Sequence, residues 1–246
     1  MGTDNWFHNR RRVRSQWARQ SNGSKKSLKV LLVCDDSKSA VYYFEGLRDD
    51  LSLKHNVEID KKCSGFDQKS LVDCAFSRFY QQKDILNKRY GEKQAVPYDR
   101  VYCVFDQDAP HAKNPHQQKY QDALKEVERI NLALGNDIFK AITSVPCYEV
   151  WLLLHSRFTT KPFANTQQRS ICHSVISDLK NGIPYYDKGD RKIYQKTKER
   201  LDIALKNAYR VEKHNQQVGT DNPSTLIHHL VKEWQELSGQ IATGIV

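Results

Sequence analysis

Two short apolar runs, each ending in paired acids, constrain this chain more than any other feature. Leu28-Lys29-Val30-Leu31-Leu32-Val33-Cys34 stops at Asp35-Asp36-Ser37, and Val101-Tyr102-Cys103-Val104-Phe105 stops at Asp106-Gln107-Asp108. Near-continuous apolar runs of this length mark strands covered on both faces, as in parallel sheets; a half-exposed strand alternates instead. Apolar residues recur at helical spacing over about 39–53 (Tyr43, Phe44, Leu47, Leu51), 68–88 (Leu71, Cys74, Ala75, Phe79, Leu86) and 116–134. Short strands are expected at 56–60 and 137–144. Strands alternating with helices predict an α/β fold with a doubly wound, mainly parallel sheet over about 28–150. Pro146 then opens a short apolar helix, and the rest reads as helical over 167–180, 192–212 and 225–237. The expected organisation is a flexible basic arm (1–27), a core (28–155) and a helical C-terminal extension (156–246) packed on it.

With 246 residues, 39% of them hydrophobic, the chain has material for one compact domain. Its mean hydropathy is −0.73, no run approaches the length of a membrane span, and the arginine-rich start has no apolar segment behind it. A cytoplasmic protein without a membrane partner is expected. The net charge is +10, and residues 1–27 supply +6 of it: Arg10, Arg11, Arg12, Arg14, Arg19, Lys25 and Lys26 against Asp4 alone. Such a balance points to a polyanion, usually nucleic acid, although a solubilising arm accounts for the charge equally well. The six cysteines, Cys34, Cys63, Cys74, Cys103, Cys147 and Cys172, contain no C-x-x-C pair. Reduced thiols are expected, with neither a disulfide framework nor a zinc site.

In an open parallel sheet, ligands bind beyond the carboxyl ends of the strands. If the two acid-tipped strands are neighbours, Asp35, Asp36, Asp106 and Asp108 converge in one crevice. Like charges that close repel unless a cation neutralises them, and an all-oxygen set suits Mg²⁺ or Mn²⁺. Asp106 and Asp108 point the same way along an extended segment, with Gln107 facing off. The competing reading makes these acids a helix cap and a turn. No P-loop, dinucleotide fingerprint or nucleophile elbow is present. His228 and His229, adjacent on an expected helix, are not expected to share a metal. His155 reads as a core residue as readily as a ligand.

These residues also resemble a family. Val33-Cys34-Asp35-Asp36-Ser37-Lys38 with Tyr43-Phe44-Glu45-Gly46-Leu47 is similar to the opening of the RloB-like TOPRIM proteins, which usually read V-C-E-G-x-K-T-E-x-x-Y-F. Val104-Phe105-Asp106-Gln107-Asp108 resembles the TOPRIM D-x-D strand, and the block from Pro146 to His155 resembles the family's N-P-C-F-E-x-W-L-L-L-H. Tyr186-Asp187-Lys188 and Asn222-Pro223-Ser224-Thr225 are similar to its Y-x-K and N-P-S-T elements. The resemblance implies a TOPRIM fold and a metal-dependent nuclease of a bacterial antiphage locus. Its expected partners are nucleic acid, a neighbouring ABC/AAA-type ATPase and further copies of the chain. It puts Asp35, Asp106 and Asp108 at the metal, with Asp35 also as general base. Lys38 and Glu149 are expected to join them as catalytic positions, and Asp36, Lys38 and Lys188 are expected to contact substrate. The chain departs from the pattern where Asp35-Asp36 replaces Glu-Gly. A carboxylate one methylene shorter leaves two readings open, a working nuclease or a module that only binds nucleic acid or the ATPase.

Overall fold

Strand β1 (Val30–Cys34) is buried along its whole length because its alternate side chains enter two separate cores. Val30, Leu32 and Cys34 face one, and Leu31 and Val33 the other. Strand β3 (Arg100–Asp106) divides in the same way, with Tyr102 and Val104 on the first side and Val101, Cys103 and Phe105 on the second. The computed structural model describes residues 28–90, 96–108, 115–165 and 170–243, so the basic arm expected over 1–27 lies outside the described residues. With β2 (Val57–Ile59), β4 (Phe139–Val145) and β5 (Ser224–Thr225), the strands form one sheet in the order β2-β1-β3-β4-β5. The first four are parallel and β5 is antiparallel to β4. Chain order reverses between β1 and β3, and this is where a doubly wound sheet opens a crevice at its strand ends.

Parallel neighbours need crossovers, and helices provide them. Helices α1 (Ser39–Asp50), α2 (Gln68–Tyr90) and α3 (Pro115–Leu134) follow β1, β2 and β3. Leu71, Ala75 and Phe79 of α2 with Ala123, Val127 and Ile130 of α3 cover one face. The other face is covered by α1 and by the C-terminal helices: α4 (Glu149–Leu154), α5 (Ile171–Leu179), α6 (Ile193–Thr197), α7 (Leu201–Val218) and α8 (Ile227–Ala242). Every residue of α4 is buried. Tyr43 centres this core, with its ring edge-on to Trp151, Tyr194 and His155. His155 is fully enclosed, with Nδ1 3.0 Å from the Trp151 carbonyl and Nε2 3.3 Å from the Tyr43 hydroxyl. Burial pulls its pKa down to about 4, so it is a neutral core residue and not a ligand.

Four local features differ from the sequence-based expectation. Cys63 and Cys74 form a disulfide, where six reduced thiols were expected. A short 3₁₀ turn at Lys61–Cys63 brings Cys63 against the second turn of α2, with the two Cα atoms 5.8 Å apart. That approach is made by the turn, so no C-x-x-C spacing announces it. The helix expected over 192–212 is divided by a 3₁₀ turn at Lys198–Arg200, and α7 runs on to Val218, ending at Gly219 with φ of 72°. Thr225, expected to start a helix, instead pairs in β5 opposite Ser144, and the two hydroxyls lie 3.0 Å apart. The helix expected over 167–180 is α5, which starts after Ser170; residues 166–169 lie outside the described residues.

The α1–α6 contact depends on one glycine. A Cβ on Gly46 would sit 2.5 Å from the Tyr194 Cβ, an atom at the root of its side chain that cannot swing clear. Gly46→Ala is expected to lower stability by about 1–3 kcal/mol through overpacking. Denaturant melts test this, and an unchanged midpoint would contradict so close an α1–α6 contact.

Candidate functional site

The adjacent β1 and β3 both end at the crevice, and their terminal acids meet there. Asp35 directly follows β1, and its backbone N–H donates to the Val104 carbonyl, which continues the ladder by one residue. Its carboxylate then turns across the strands. Oδ2 accepts from the Asp106 backbone N–H at 2.9 Å and Oδ1 from the Asp36 backbone N–H at 2.7 Å. Asp106 is the last residue of β3, beside Ser144 of β4. Its backbone carbonyl is held by the Gln68 amide at 2.9 Å.

Beyond Asp106 the chain leaves the sheet. Gln107 is buried and turns away, its side-chain amide 3.2 Å from Gln117 of α3, while its N–H donates to the Ser144 carbonyl. Asp108 has φ of 53°, an αL conformation that aspartate tolerates better than most residues, and its N–H donates to the Pro146 carbonyl at 2.8 Å. Asp108 is exposed, and the Cys172 thiol of α5 lies 3.8 Å from its Oδ1.

Glu149 supplies the fourth carboxylate. It opens α4 and is buried, with Oε1 accepting from the Tyr186 hydroxyl and the Lys188 ammonium, both at 3.1 Å. Its Oε2 is buried without a hydrogen-bond partner. Ser39, the first residue of α1, ties this loop down: its hydroxyl lies 3.0 Å from that of Tyr186 and 2.9 Å from the Lys188 carbonyl. Lys188 is thus brought to the acids from far along the chain.

The electrostatics follow from this crowding. Burial pushes the Asp106 carboxyl well above its usual range, and Asp35, Glu149 and Asp108 push the same way against one favourable backbone N–H from Tyr148. Burial also raises Asp35, to about 7; its two backbone hydrogen bonds oppose the shift, and Asp108 and Asp36 add to it. Burial disfavours the charge on Lys188, but the facing Glu149 wins and holds the ammonium protonated well beyond its ordinary range. A cluster of acids that cannot all ionise cheaply is one that a cation, or a proton, stabilises.

Asp35, Asp106, Asp108, Glu149 and Lys188 therefore lie near one another beyond the ends of β1 and β3. Asp36 does something different: its oxygens accept from the backbone N–H groups of Lys38 at 2.9 Å and Ala40 at 3.2 Å, so it caps α1. The Lys38 side chain is exposed, and no hydrogen bond or ion pair ties it to the acids. Ser39, Gln68 and Tyr186 support the site without having been singled out for it. Only Tyr186 carried a signal, its place in the Tyr186-Asp187-Lys188 element. The Asn222-Pro223-Ser224-Thr225 element has a structural job: the Asn222 side chain bonds both backbone groups of Phe163, at 3.2 Å and 2.7 Å, and Asn215 holds the Pro223 carbonyl.

The Asp35 shift sets a pH dependence. The folded chain keeps a proton up to about 7 that an unfolded aspartate releases near 3.8. Its stabilising effect is complete below the lower value and is lost as pH rises through the higher one. In chelator-treated protein, thermal melts should show stability falling across that window, with a shallower fall in Asp35→Asn. Parallel declines in the two proteins would refute the shift.

The model of the family described as RloB-like protein matches residues 30–234, from the first residue of β1 into α8. No curated protein and no solved structure matches the chain. The matched span contains β1, β3, the buried α4 and the carboxylates of the crevice, and it covers most of the chain: this protein belongs to the RloB-like family.

Proposed function

We propose that the crevice holds Mg²⁺ or Mn²⁺ between Asp35, Asp106 and Asp108, and that the protein is a TOPRIM-type nuclease. It hydrolyses nucleic-acid phosphodiesters, in RNA such as tRNA or in DNA, as the effector of a bacterial antiphage system working with an ABC/AAA-type ATPase. The observation that carries this reading is the convergence of Asp35 and Asp106 on one strand junction, where the Asp35 carboxylate takes the Asp106 N–H. The donor set is all oxygen, and the buried, unpartnered Oε2 of Glu149 adds an acceptor that a cation or its water would satisfy. Asp35, Asp106 and Asp108 would hold a divalent cation, whose chemistry there would be to polarise a phosphoryl oxygen and to lower the pKa of an attacking water.

The residues divide the remaining work. Asp35, whose carboxylate reaches the end of β3, is placed to complete the metal site or to take a proton from water. Lys188, half exposed and paired with Glu149, can turn its ammonium to a phosphate while its partner keeps it charged. Lys38, at the exposed start of α1, supplies a second cation for the scissile group. Surface cations give a salt-dependent grip on the backbone.

A second reading, a module that binds nucleic acid or the ATPase without cutting, is favoured by one observation. Each oxygen of the short Asp35 side chain already accepts a backbone N–H, which leaves fewer lone pairs for a metal. Changing Asp106→Asn and Asp108→Asn together separates the two. With Mg²⁺ or Mn²⁺ and the neighbouring ATPase present, cleavage of DNA or RNA should collapse while substrate affinity holds or rises. A wild-type protein that never cuts, matched in cells by the double variant, would leave the binding module standing. Deleting residues 1–27, which hold seven cations, should flatten the salt dependence of nucleic-acid binding by several units. An unchanged slope would mean that the arm does not touch the polyanion.

A further inference from the structure

Away from the crevice, three metal-ligating side chains converge from two helices. Glu212 lies on α7, and His228 and His229 lie in the first turn of α8. The His228 Nε2 is 3.0 Å from Glu212 Oε2, and the His229 Nε2 is 3.0 Å from Oε1 and 3.1 Å from Oε2. One ligand atom from each residue lies within 4.8 Å of the others. The two side chains, expected to diverge, instead bring their Nε2 atoms to the same carboxylate. Successive side chains do diverge around a helix axis, but here the common target sits on the neighbouring helix, between their two directions. The rings fold together with centroids 4.0 Å apart.

We propose that Glu212, His228 and His229 form a zinc site of His₂Glu type, with a water in the fourth position. The spacing fits: in a tetrahedron with bonds of 2.0–2.1 Å, neighbouring ligand atoms stand about 3.3 Å apart, close to the nitrogen–oxygen separations found. The donor chemistry also fits, since imidazole nitrogens with one carboxylate suit Zn²⁺ and not the hard-oxygen preference of Mg²⁺. Exposure is graded suitably. The His228 side chain is 6% exposed, while His229 and Glu212 at 18% and 22% leave an open side for the water.

A further observation comes from His228, whose Nδ1 is buried with no well-formed hydrogen bond and lies beside the Thr225 backbone carbonyl. With Nε2 bound to a metal, the ring would carry its proton on Nδ1 and donate it toward that carbonyl, and backbone carbonyls commonly orient ligating histidines in this way. The site would brace α7 against α8 directly after β5, whose Thr225 pairs with Ser144, the β4 neighbour of Asp106.

The test is a titration of chelator-dialysed full-length protein with Co²⁺, followed by competition with Zn²⁺. Wild type should develop the intense visible absorption of tetrahedral Co²⁺ at one equivalent per chain, and Zn²⁺ should abolish it. Asp106→Asn/Asp108→Asn should keep the band, which separates this site from the crevice. Glu212→Gln and His229→Ala should lose it while melting as single cooperative units. Absence of the band in wild type, only the weak spectrum of six-coordinate Co²⁺, or a band that survives in both ligand variants would overturn the site.

Discussion

The parallel pairing of β1 with β3 is the constraint on which the rest depends. Five consecutive register pairs, from Val30 with Arg100 to Cys34 with Val104, hold two strands that have no solvent-facing side. Each strand must be covered above and below, so helices are needed on both faces, and Tyr43, Phe44 and Leu47 on one side are as necessary as Leu71, Ala75 and Phe79 on the other. The chain winds one way from β1 to β2 and the other way from β3 to β4. That reversal leaves the carboxyl ends of β1 and β3 without a crossover above them, so polar residues can collect there at little cost to the core.

The crevice uses that freedom against its own electrostatics. Burial raises the carboxyls of Asp35 and Asp106, Asp108 adds to both shifts, Asp35 and Glu149 add to that of Asp106, and the protein offsets only part of the strain. Backbone N–H groups serve Asp35, and Lys188 and Tyr186 serve one oxygen of Glu149. Asp106 receives less, and the second Glu149 oxygen has no partner. The proposed cation would complete this compensation.

The C-terminal helices do more than cover the sheet. Ser39 at the head of α1 holds Tyr186 and Lys188, so the loop before α6 is attached to the first βα turn. On the opposite flank, β5 adds an antiparallel edge to β4, and Asn222 and Asn215 fix the turn that leads into it. The first attachment ends at Glu149, and the second at Ser144, the β4 neighbour of Asp106. The region beyond residue 155 is therefore part of the site's framework, and α5 contributes Cys172 to its rim.

Much of this was legible in the amino-acid sequence, because burial on both faces leaves a local signature. The runs 28–34 and 101–105 announce β1 and β3, the acids after them announce the crevice, and helical periodicity locates α1, α2 and α3 to within a few residues. The Trp151-Leu152-Leu153-Leu154 stretch announces a buried helix in the same way. Contacts between distant segments leave no such trace. Nothing near Lys188 says that its ammonium will face Glu149, and nothing near Cys63 says that a 3₁₀ turn will bring it to Cys74. Thr225 is too short a signal to separate a two-residue strand from the start of a helix. His228 and His229 looked divergent because helix geometry alone was considered, and only the packing of α7 against α8 puts Glu212 between them. The sequence alone determined the sheet and the acids at its edge, since both arise from which residues avoid water. Tertiary structure decided which charges meet across the chain, because that depends on how separate elements are brought together.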